Sequence, residues 1–368
     1  MSVRTAVVGL GWAGRELWLP RLRAHADFDV VAAVDTEPAA RAAFDAALGV
    51  PAHPTADALT AEDVDLAVVA VPNHLHAEVA GALLGRGVPV FLEKPVCLTA
   101  AEADVLEAAE RDGGATLLAG SAAPHRGDVA ALAGLVPDLG HVRHADLSWI
   151  RARGVPRAGG WFTRRDEAGG GVLFDLGWHL FDTLASLLGP VPFTQVVGVT
   201  SSDFVNAAAW GAAWRRDRPE AAGAPGDVED TARGFLVRAD GISVSLRAGW
   251  ASHEALDVTR VQLVGSEGTA ELRCTFGFSP NRHPASVLTL TREGTTTAVP
   301  VPDEPIGDEY RRQLDGLAAA LKEPGSRGRA VGEARTTVRV IEDFYASARS
   351  AAPARNVVPA HRWTGENQ

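Results

Sequence analysis

Short, nearly unbroken apolar runs alternate with amphipathic stretches through the first third of the chain. Residues 5–10 (TAVVGL), 29–35 (DVVAAVD), 65–71 (DLAVVAV), 88–93 (VPVFLE) and 115–120 (ATLLAG) read as buried strands. Residues 13–24, a segment opening at Pro38, and residues 75–86 and 99–111 read as the helices between them, with Pro38 suited to a first helical turn. Strands rich in Val, Ala and Leu that are separated by helices predict a parallel sheet covered on both faces.

Past residue 122 the pattern changes. A helix is expected over 172–188, followed by TARGFLVRAD, ISVSLRAGW, DVTRVQLVG and TAELRC between residues 231 and 274. These runs alternate more and are joined by tight turns such as Ala239-Asp240-Gly241, which predicts antiparallel hairpins. Helices over 308–322 and 332–350 close the chain, and residues 206–227 read as an insertion or mobile loop. The expected fold is α/β: a doubly wound domain over 1–122, then an α+β domain over 123–368.

The first strand runs into Gly9-Leu10-Gly11-Trp12-Ala13-Gly14, which fits G-x-G-x-x-G. The first glycine permits the tight turn, the second admits a pyrophosphate close to the backbone, and the third lets the helix pack on its strand. Asp35 ends the next strand, where a carboxylate accepts hydrogen bonds from ribose hydroxyls and repels a 2′-phosphate. A dinucleotide site is therefore expected, with NAD favoured over NADP.

GGGVLFDLGWHLFD, residues 169–182, places Asp175 and His179 four apart, on one face of a helix. The pair could serve a metal ion, a structural contact or a substrate hydroxyl. A metal needs three or four convergent ligands, and only Asp182 follows on the next turn, so no metal site is expected. Three consecutive glycines before the pair imply a helix start lying close against something.

Composition sharpens one residue. Of 35 basic side chains only Lys94 and Lys322 are lysines. Arginine is not a useful proton donor or acceptor near neutral pH, whereas lysine is tunable by burial. A chain that otherwise uses arginine is expected to keep lysine where charge alone does not suffice, which singles out Lys94. The net charge of −11, with no basic face, argues against nucleic acid and anionic membrane as partners. No apolar run reads as a membrane span or signal peptide, and Cys97 and Cys274 form no disulfide framework, so a reducing cytoplasm is expected.

PNHLH (72–76) after a strand, EKP (93–95) after the next, the 169–182 segment, VEDTA (228–232), GSEGTAEL (265–272) and VIEDFYASARS near the end resemble, in order and spacing, the glucose-fructose oxidoreductase/inositol dehydrogenase (Gfo/Idh/MocA) family. The resemblance implies a Rossmann domain followed by a mainly antiparallel, open-faced sheet through which members form homodimers or homotetramers. It also implies hydride exchange between a nicotinamide nucleotide and a carbinol or carbonyl carbon of a cyclic polyol or sugar. Lys94 would lie near the nicotinamide, Pro95 would follow a cis peptide, and Asp175 and His179 would face the substrate. On that reading His179 is the acid/base, Lys94 polarises or protonates the same oxygen, and Asp175 orients both. Pro72, Asn73, His76 and Glu93 join the expected cofactor contacts. Trp161 and Trp178 are candidates to stack on a ring substrate, and His125, Arg126, Arg282 and His283 to reach it. Where many members carry Asn/Arg-Phe-x-Pro this chain reads GSAAPHRGD, so its substrate recognition is expected to differ. Competing expectations are an NAD-dependent glycoside hydrolase that oxidises transiently, and a non-catalytic nucleotide-binding protein.

Overall fold

The structure, a computed structural model, describes residues 2–157, 159–212 and 225–351; the remainder of the 206–227 loop lies outside the described residues. Six strands, β1 (Val3–Val8), β2 (Phe28–Val34), β3 (Ala52–His53), β4 (Leu66–Val69), β5 (Val90–Glu93) and β6 (Leu117–Gly120), form a parallel sheet in the order β3-β2-β1-β4-β5-β6. Both faces of this sheet are covered, which is why its strands read as continuous apolar runs. A π-wound turn, Ala13–Trp18, leads into α1 (Leu19–Ala24); α2 (Pro38–Leu48), α3 (His76–Gly85) and α4 (Ala100–Gly113) complete the set. Thr99 caps α4 by accepting a hydrogen bond from the Glu102 N–H. The strand order reverses between β1 and β4, and the crevice that opens at their carboxyl ends is where such sheets bind ligands.

After α5 (Gly127–Leu135) the chain builds an eight-stranded sheet from β7 (Val142–Ile150), β8 (Phe193–Ser201), β9 (Thr231–Arg238), β10 (Ser243–Gly249), β11 (Val258–Gly265), β12 (Thr269–Cys274), β13 (Val287–Arg292) and β14 (Thr295–Val299). Its order is β14-β13-β12-β11-β7-β10-β9-β8, and all pairs but β7–β10 are antiparallel. The hairpins expected between 231 and 274 are β9 to β12. Their centre, β7, was not legible as a strand, because VRHADLSWI places Ser148 among its buried positions and so blurs the alternation. The hairpin of β13 and β14 is threonine-rich and largely exposed, and it too lacked an apolar signature.

One face of the second sheet is covered by α7 (Trp178–Leu188) and α9 (Arg329–Ala351), which follow the short α6 (Arg165–Ala168) and α8 (Asp308–Ala320). Gly198 and Gly234, paired across β8 and β9, leave room for the Phe344 ring of α9. The other face stays open, with Val197 63% and Phe235 50% exposed. Helix α8 returns to the first domain and buries Leu314 and Leu317 among Val7, Trp18, Leu22 and Phe91. Among the described residues no helix is long and apolar enough to cross a membrane.

Candidate active site

The glycine loop has the shape its spacing predicts. Gly9 has φ +92°, and a Cβ there would lie 2.6 Å from the Ala70 carbonyl oxygen. A Cβ on Gly14 would lie 1.9 Å from the Gly9 carbonyl oxygen, so helix and turn touch backbone to backbone. A Cβ on Gly11 would meet no atom within 4 Å beyond its chain neighbours, leaving space for a phosphate group above the start of the π-wound helix at Ala13. Asp35 Oδ2 accepts from the Leu10 N–H (2.7 Å) and Oδ1 from the Glu37 N–H (2.8 Å). The carboxylate is thus fixed at the end of β2 beside the loop. Trp12 packs edge-on against Phe278 of the second domain, 5.7 Å between centroids. These residues fit a dinucleotide.

The EKP segment ends β5, and the Lys94–Pro95 peptide is cis. His76 is buried beneath it, its two ring nitrogens within hydrogen-bonding distance of the Pro95 carbonyl (2.7 Å) and the Val71 carbonyl (2.9 Å). Burial pushes this imidazole down to about 4. The neutral ring carries one N–H and donates to one of these carbonyls, so His76 lies between the ends of β4 and β5. Asn73, just after Pro72, donates to the Ala168 carbonyl across the domain seam (3.1 Å). Glu93 Oε1 accepts from the Trp18 indole N–H (2.5 Å) and Oε2 from the Lys94 N–H (3.1 Å). It supports the strand end, and burial raises its carboxyl pKa.

The three glycines lie close against protein. A Cβ on Gly169, which has φ +81°, would meet the Leu98 side chain at 2.7 Å; one on Gly170 would meet the Tyr345 hydroxyl at 2.0 Å; one on Gly171 would meet the Glu229 carbonyl oxygen at 1.9 Å. Glu229 Oε1 accepts from the N–H groups of Gly171 (3.0 Å) and Leu173 (3.1 Å) and from Tyr345 (2.7 Å), anchoring the helix start. From there a π-wound turn, Leu173–Gly177, carries Asp175 and passes into α7, which carries His179. Single π turns inside helices often mark functional positions.

Asp175 is the hub. Its Oδ1 accepts from Lys94 Nζ at 2.7 Å, across the two domains, and its Oδ2 accepts from the Trp250 indole N–H at 2.9 Å. Arg151 Nη1 stands 3.7 Å from the same Oδ2. Burial alone would raise the Asp175 pKa, but the charges of Lys94 and Arg151 outweigh it and hold the carboxyl well below the usual range. The His179 ring is 5.6 Å from that of Trp149. Burial, then the nearby Lys94 and Arg151, pushes His179 down to about 3 against the pull of Asp175. The resting state is thus a Lys94–Asp175 ion pair beside a neutral imidazole. Phe162 covers Lys94, its ring centroid 5.9 Å from Nζ.

Other expected contacts go elsewhere. Trp178 is buried in the core and is unavailable to stack on a substrate, because the helix turns it inward against Phe174. Trp161 is half-buried and meets Phe162 edge-on at 4.9 Å, one ring removed from Lys94. Arg126 is held by both oxygens of Asp128 (2.9 and 2.7 Å) and stacks on Phe276, so its charge is committed to the fold. His125, beside it, is exposed. Arg282 donates to the Thr275 carbonyl (2.7 Å), and His283 Nδ1 lies 2.7 Å from the Ala285 carbonyl, which ties both to their own loop. Sequence reasoning missed Arg151, Trp250, Phe162 and Trp149. No local spacing links them to the site; the pairing of β7 with β10 brings Arg151 and Trp250 to Asp175, whereas Phe162 reaches Lys94 from the separate turn over Trp161–Thr163.

A doubly wound domain with a dinucleotide loop, docked on an open-faced sheet through a Lys–Asp pair beside a neutral histidine, defines a nicotinamide-dependent oxidoreductase. The chain matches the family described as "Oxidoreductase family, NAD-binding Rossmann fold" over residues 3–121 and the "GFO/IDH/MocA C-terminal domain" over 137–271. It belongs to the Gfo/Idh/MocA oxidoreductase family. It is 70% identical over 362 residues to the "Putative UDP-kanosamine synthase oxidoreductase subunit" of Amycolatopsis mediterranei (strain S699), covering 98% of this chain and 100% of that one. GenD2 from gentamicin A biosynthesis, solved with NAD, is 24% identical with a TM-score of 0.73, covering 95% of this chain and 94% of its own. KijD10, a 3-ketoreductase from Actinomadura kijaniata solved with NADP and TDP-benzene, is 21% identical with a TM-score of 0.71, covering 93% and 96%. At these identities the two solved structures establish the fold alone. The chain is an NAD(P)-dependent oxidoreductase.

Proposed function

We propose that this enzyme oxidises a ring hydroxyl of a nucleotide-activated hexose, with position 3 of UDP-glucose as the substrate of choice and NAD as the cofactor. Kanosamine is 3-amino-3-deoxyglucose. An oxidoreductase that serves its synthesis from UDP-glucose must convert the C3 hydroxyl to a ketone, which an amine-transferring partner can then use. The full-length identity to the Amycolatopsis subunit carries this reading, and the Lys94–Asp175 pair with His179 nearby places an ammonium, a carboxylate and an imidazole where a carbinol proton could be handled.

The loop of Gly9, Gly11 and Gly14 with Asp35 would hold the nicotinamide nucleotide, which when bound would supply the hydride acceptor or donor for the carbinol carbon. The hydroxyl proton passes to His179, the neutral group with a lone pair to receive it. Lys94 spends one N–H on Asp175 and has two more to hydrogen-bond the substrate oxygen, stabilising the negative charge that develops there. Asp175 holds the ammonium in place and stabilises the imidazolium as it forms. Asp35, the neighbour of the glycine loop, favours the unphosphorylated ribose of NAD. The open face of the second sheet, with Val197, Val199 and Phe235 exposed, serves for self-association on this reading.

The test is purified enzyme with UDP-glucose and NAD or NADP, followed at 340 nm, with the ketone trapped as an oxime. Formation of a 3-keto product with NAD supports the reading. Turnover of free inositol or glucose in preference to the UDP-sugar refutes the substrate class. Release of nitrophenol from a nitrophenyl glycoside without net NADH would instead support the hydrolase.

A further inference from the structure

Beyond Ile150 the chain leaves β7 and runs through Arg151 and Arg153 toward the surface. The segment is stitched on both sides. The Arg151 N–H donates to the Gly249 carbonyl (2.9 Å), the Val155 N–H to the Trp210 carbonyl (3.0 Å), and the Ala212 N–H to the Val155 carbonyl (2.9 Å). Side chains two apart form a file. Trp149 lies against His179. Arg151 lies over the Trp149 ring at 5.1 Å and 3.7 Å from Asp175. Arg153, exposed, lies 5.9 Å over the Trp210 ring. Trp210 meets the exposed His253 edge-on at 5.3 Å and Phe204 at 4.8 Å. The backbone bends at Ala152 and Arg153 bridges Ala251 beside β10, so these side chains lead from the reacting end of the site to an aromatic group around Trp210. Residues 151–165 hold five arginines; Arg164 and Arg165 pair with Glu167 and Glu229, while Arg153 is exposed beside Trp210.

We propose that Arg151 and Arg153 bind the diphosphate, and Trp210 with His253 the base, of a nucleoside-diphosphate hexose whose sugar ring sits at His179. This rests on the nucleotide-sugar reading of the reaction. Two cationic side chains in file suit two phosphates, and arginine forks suit phosphate oxygens. A tryptophan stacked under an arginine and edged by a histidine offers a flat π face to a pyrimidine.

The test is calorimetric titration of UDP, UMP and uridine into NAD-loaded enzyme, wild type against Arg153→Gln and Trp210→Ala, with Trp210→Leu in reserve should the alanine variant unfold. The expected order of affinity is UDP over UMP over uridine. Arg153→Gln should weaken UDP at least about tenfold, equivalent to about 1.4 kcal/mol. It should raise KM for UDP-glucose by a similar factor with kcat nearly unchanged. Trp210→Ala should weaken UDP and uridine alike. Wild-type enzyme that does not bind UDP, or variants that bind it as tightly as wild type, would overturn the subsite. UDP binding that is lost in the variants, alongside no oxidation of UDP-glucose, would keep the subsite and sink the reaction.

Discussion

Replacing Lys94 by methionine removes the cation from Asp175 while keeping most of the side-chain volume. Lys94 and Asp175 have side-chain exposures of 16% and 11%, so their 2.7 Å contact is shielded from water. Breaking a buried pair by deleting one partner typically costs about 3–5 kcal/mol. Here Asp175 keeps the Trp250 N–H at 2.9 Å and Arg151 at 3.7 Å, so the loss should fall at or below the bottom of that range, roughly 2–3 kcal/mol, measurable by urea denaturation. Loss of the hydrogen-bond donor at the substrate oxygen should lower kcat about 10²–10³-fold. His179 should also titrate higher, since Lys94 is one of the groups that depress it, and the acid limb of the residual activity should move up in pH. Lys94→Arg separates charge from geometry. A guanidinium can pair with the carboxylate through two parallel N–H groups and so restore stability, but it turns its donors toward Asp175 and away from the substrate. The expected arginine variant is therefore stable and nearly inactive. An arginine variant that matches wild-type kcat, or a methionine variant within about threefold of it, would show that Lys94 does not act on the reacting oxygen.

Gly171→Ala places a methyl 1.9 Å from the Glu229 carbonyl oxygen, where only backbone can move. It should destabilise by at least about 1–3 kcal/mol and lower kcat by displacing Asp175, with fluorescence-monitored unfolding and steady-state rates as readouts. Gly11→Ala meets nothing within 4 Å, so it should leave stability intact while weakening NAD at least about tenfold, since the methyl enters the phosphate space; unchanged NAD affinity would contradict the cradle. Burial puts His76 at about 4 and His179 at about 3, so the unfolded chain takes up these protons first as pH falls below about 6.5. Their contribution to stability is complete above that pH and is lost toward pH 4 and 3, whereas Asp182, raised to about 7, works in the opposite sense. His76→Gln should therefore be less stable at pH 7.5 but lose less stability between pH 6.5 and 4.5, as urea titrations at each pH would show. Asp35→Ser should raise KM for NAD and shift the kcat/KM ratio toward NADP; an unmoved ratio would mean that Asp35 only braces the loop at Leu10.

What was legible in the sequence was local. The glycine fingerprint, the buried parallel strands and the antiparallel hairpins from β9 to β12 follow from spacing and alternation within a few residues. Lys94 was singled out by rarity and Asp175 with His179 by helical spacing, and the three converge. The glycine triplet was read as a close contact, and its partners are Leu98, Tyr345 and Glu229 of the chain itself. What was not legible depends on which strand lies beside which. Arg151 and Trp250 reach Asp175 because β7 and β10 pair in parallel, a register that nothing in either segment announces. The depth of His76 was likewise not legible: its ring lies buried between the Pro95 and Val71 carbonyls, a placement set by the loops after β5 and β4.

The site is assembled across the seam of the two domains, and the same contacts hold the seam. Asn73 reaches Ala168, Lys94 reaches Asp175, and the Ser121 hydroxyl donates to Asp182 Oδ2 at 2.7 Å, so each end of β4, β5 and β6 is fastened to the segment leading into α7 or to α7 itself. The glycine triplet seats the helix start against Glu229 and Tyr345, and that seating sets the position of Asp175 relative to Lys94. A loosened helix start would separate Asp175 from Lys94, releasing the ammonium and removing the counter-charge that opposes the depression of His179. Small substitutions at the triplet, which touch no substrate, should thus act on kcat through the same carboxylate as substitutions at Lys94. A Gly171→Ala, Lys94→Met double variant should then lose far less activity than the product of the two single losses.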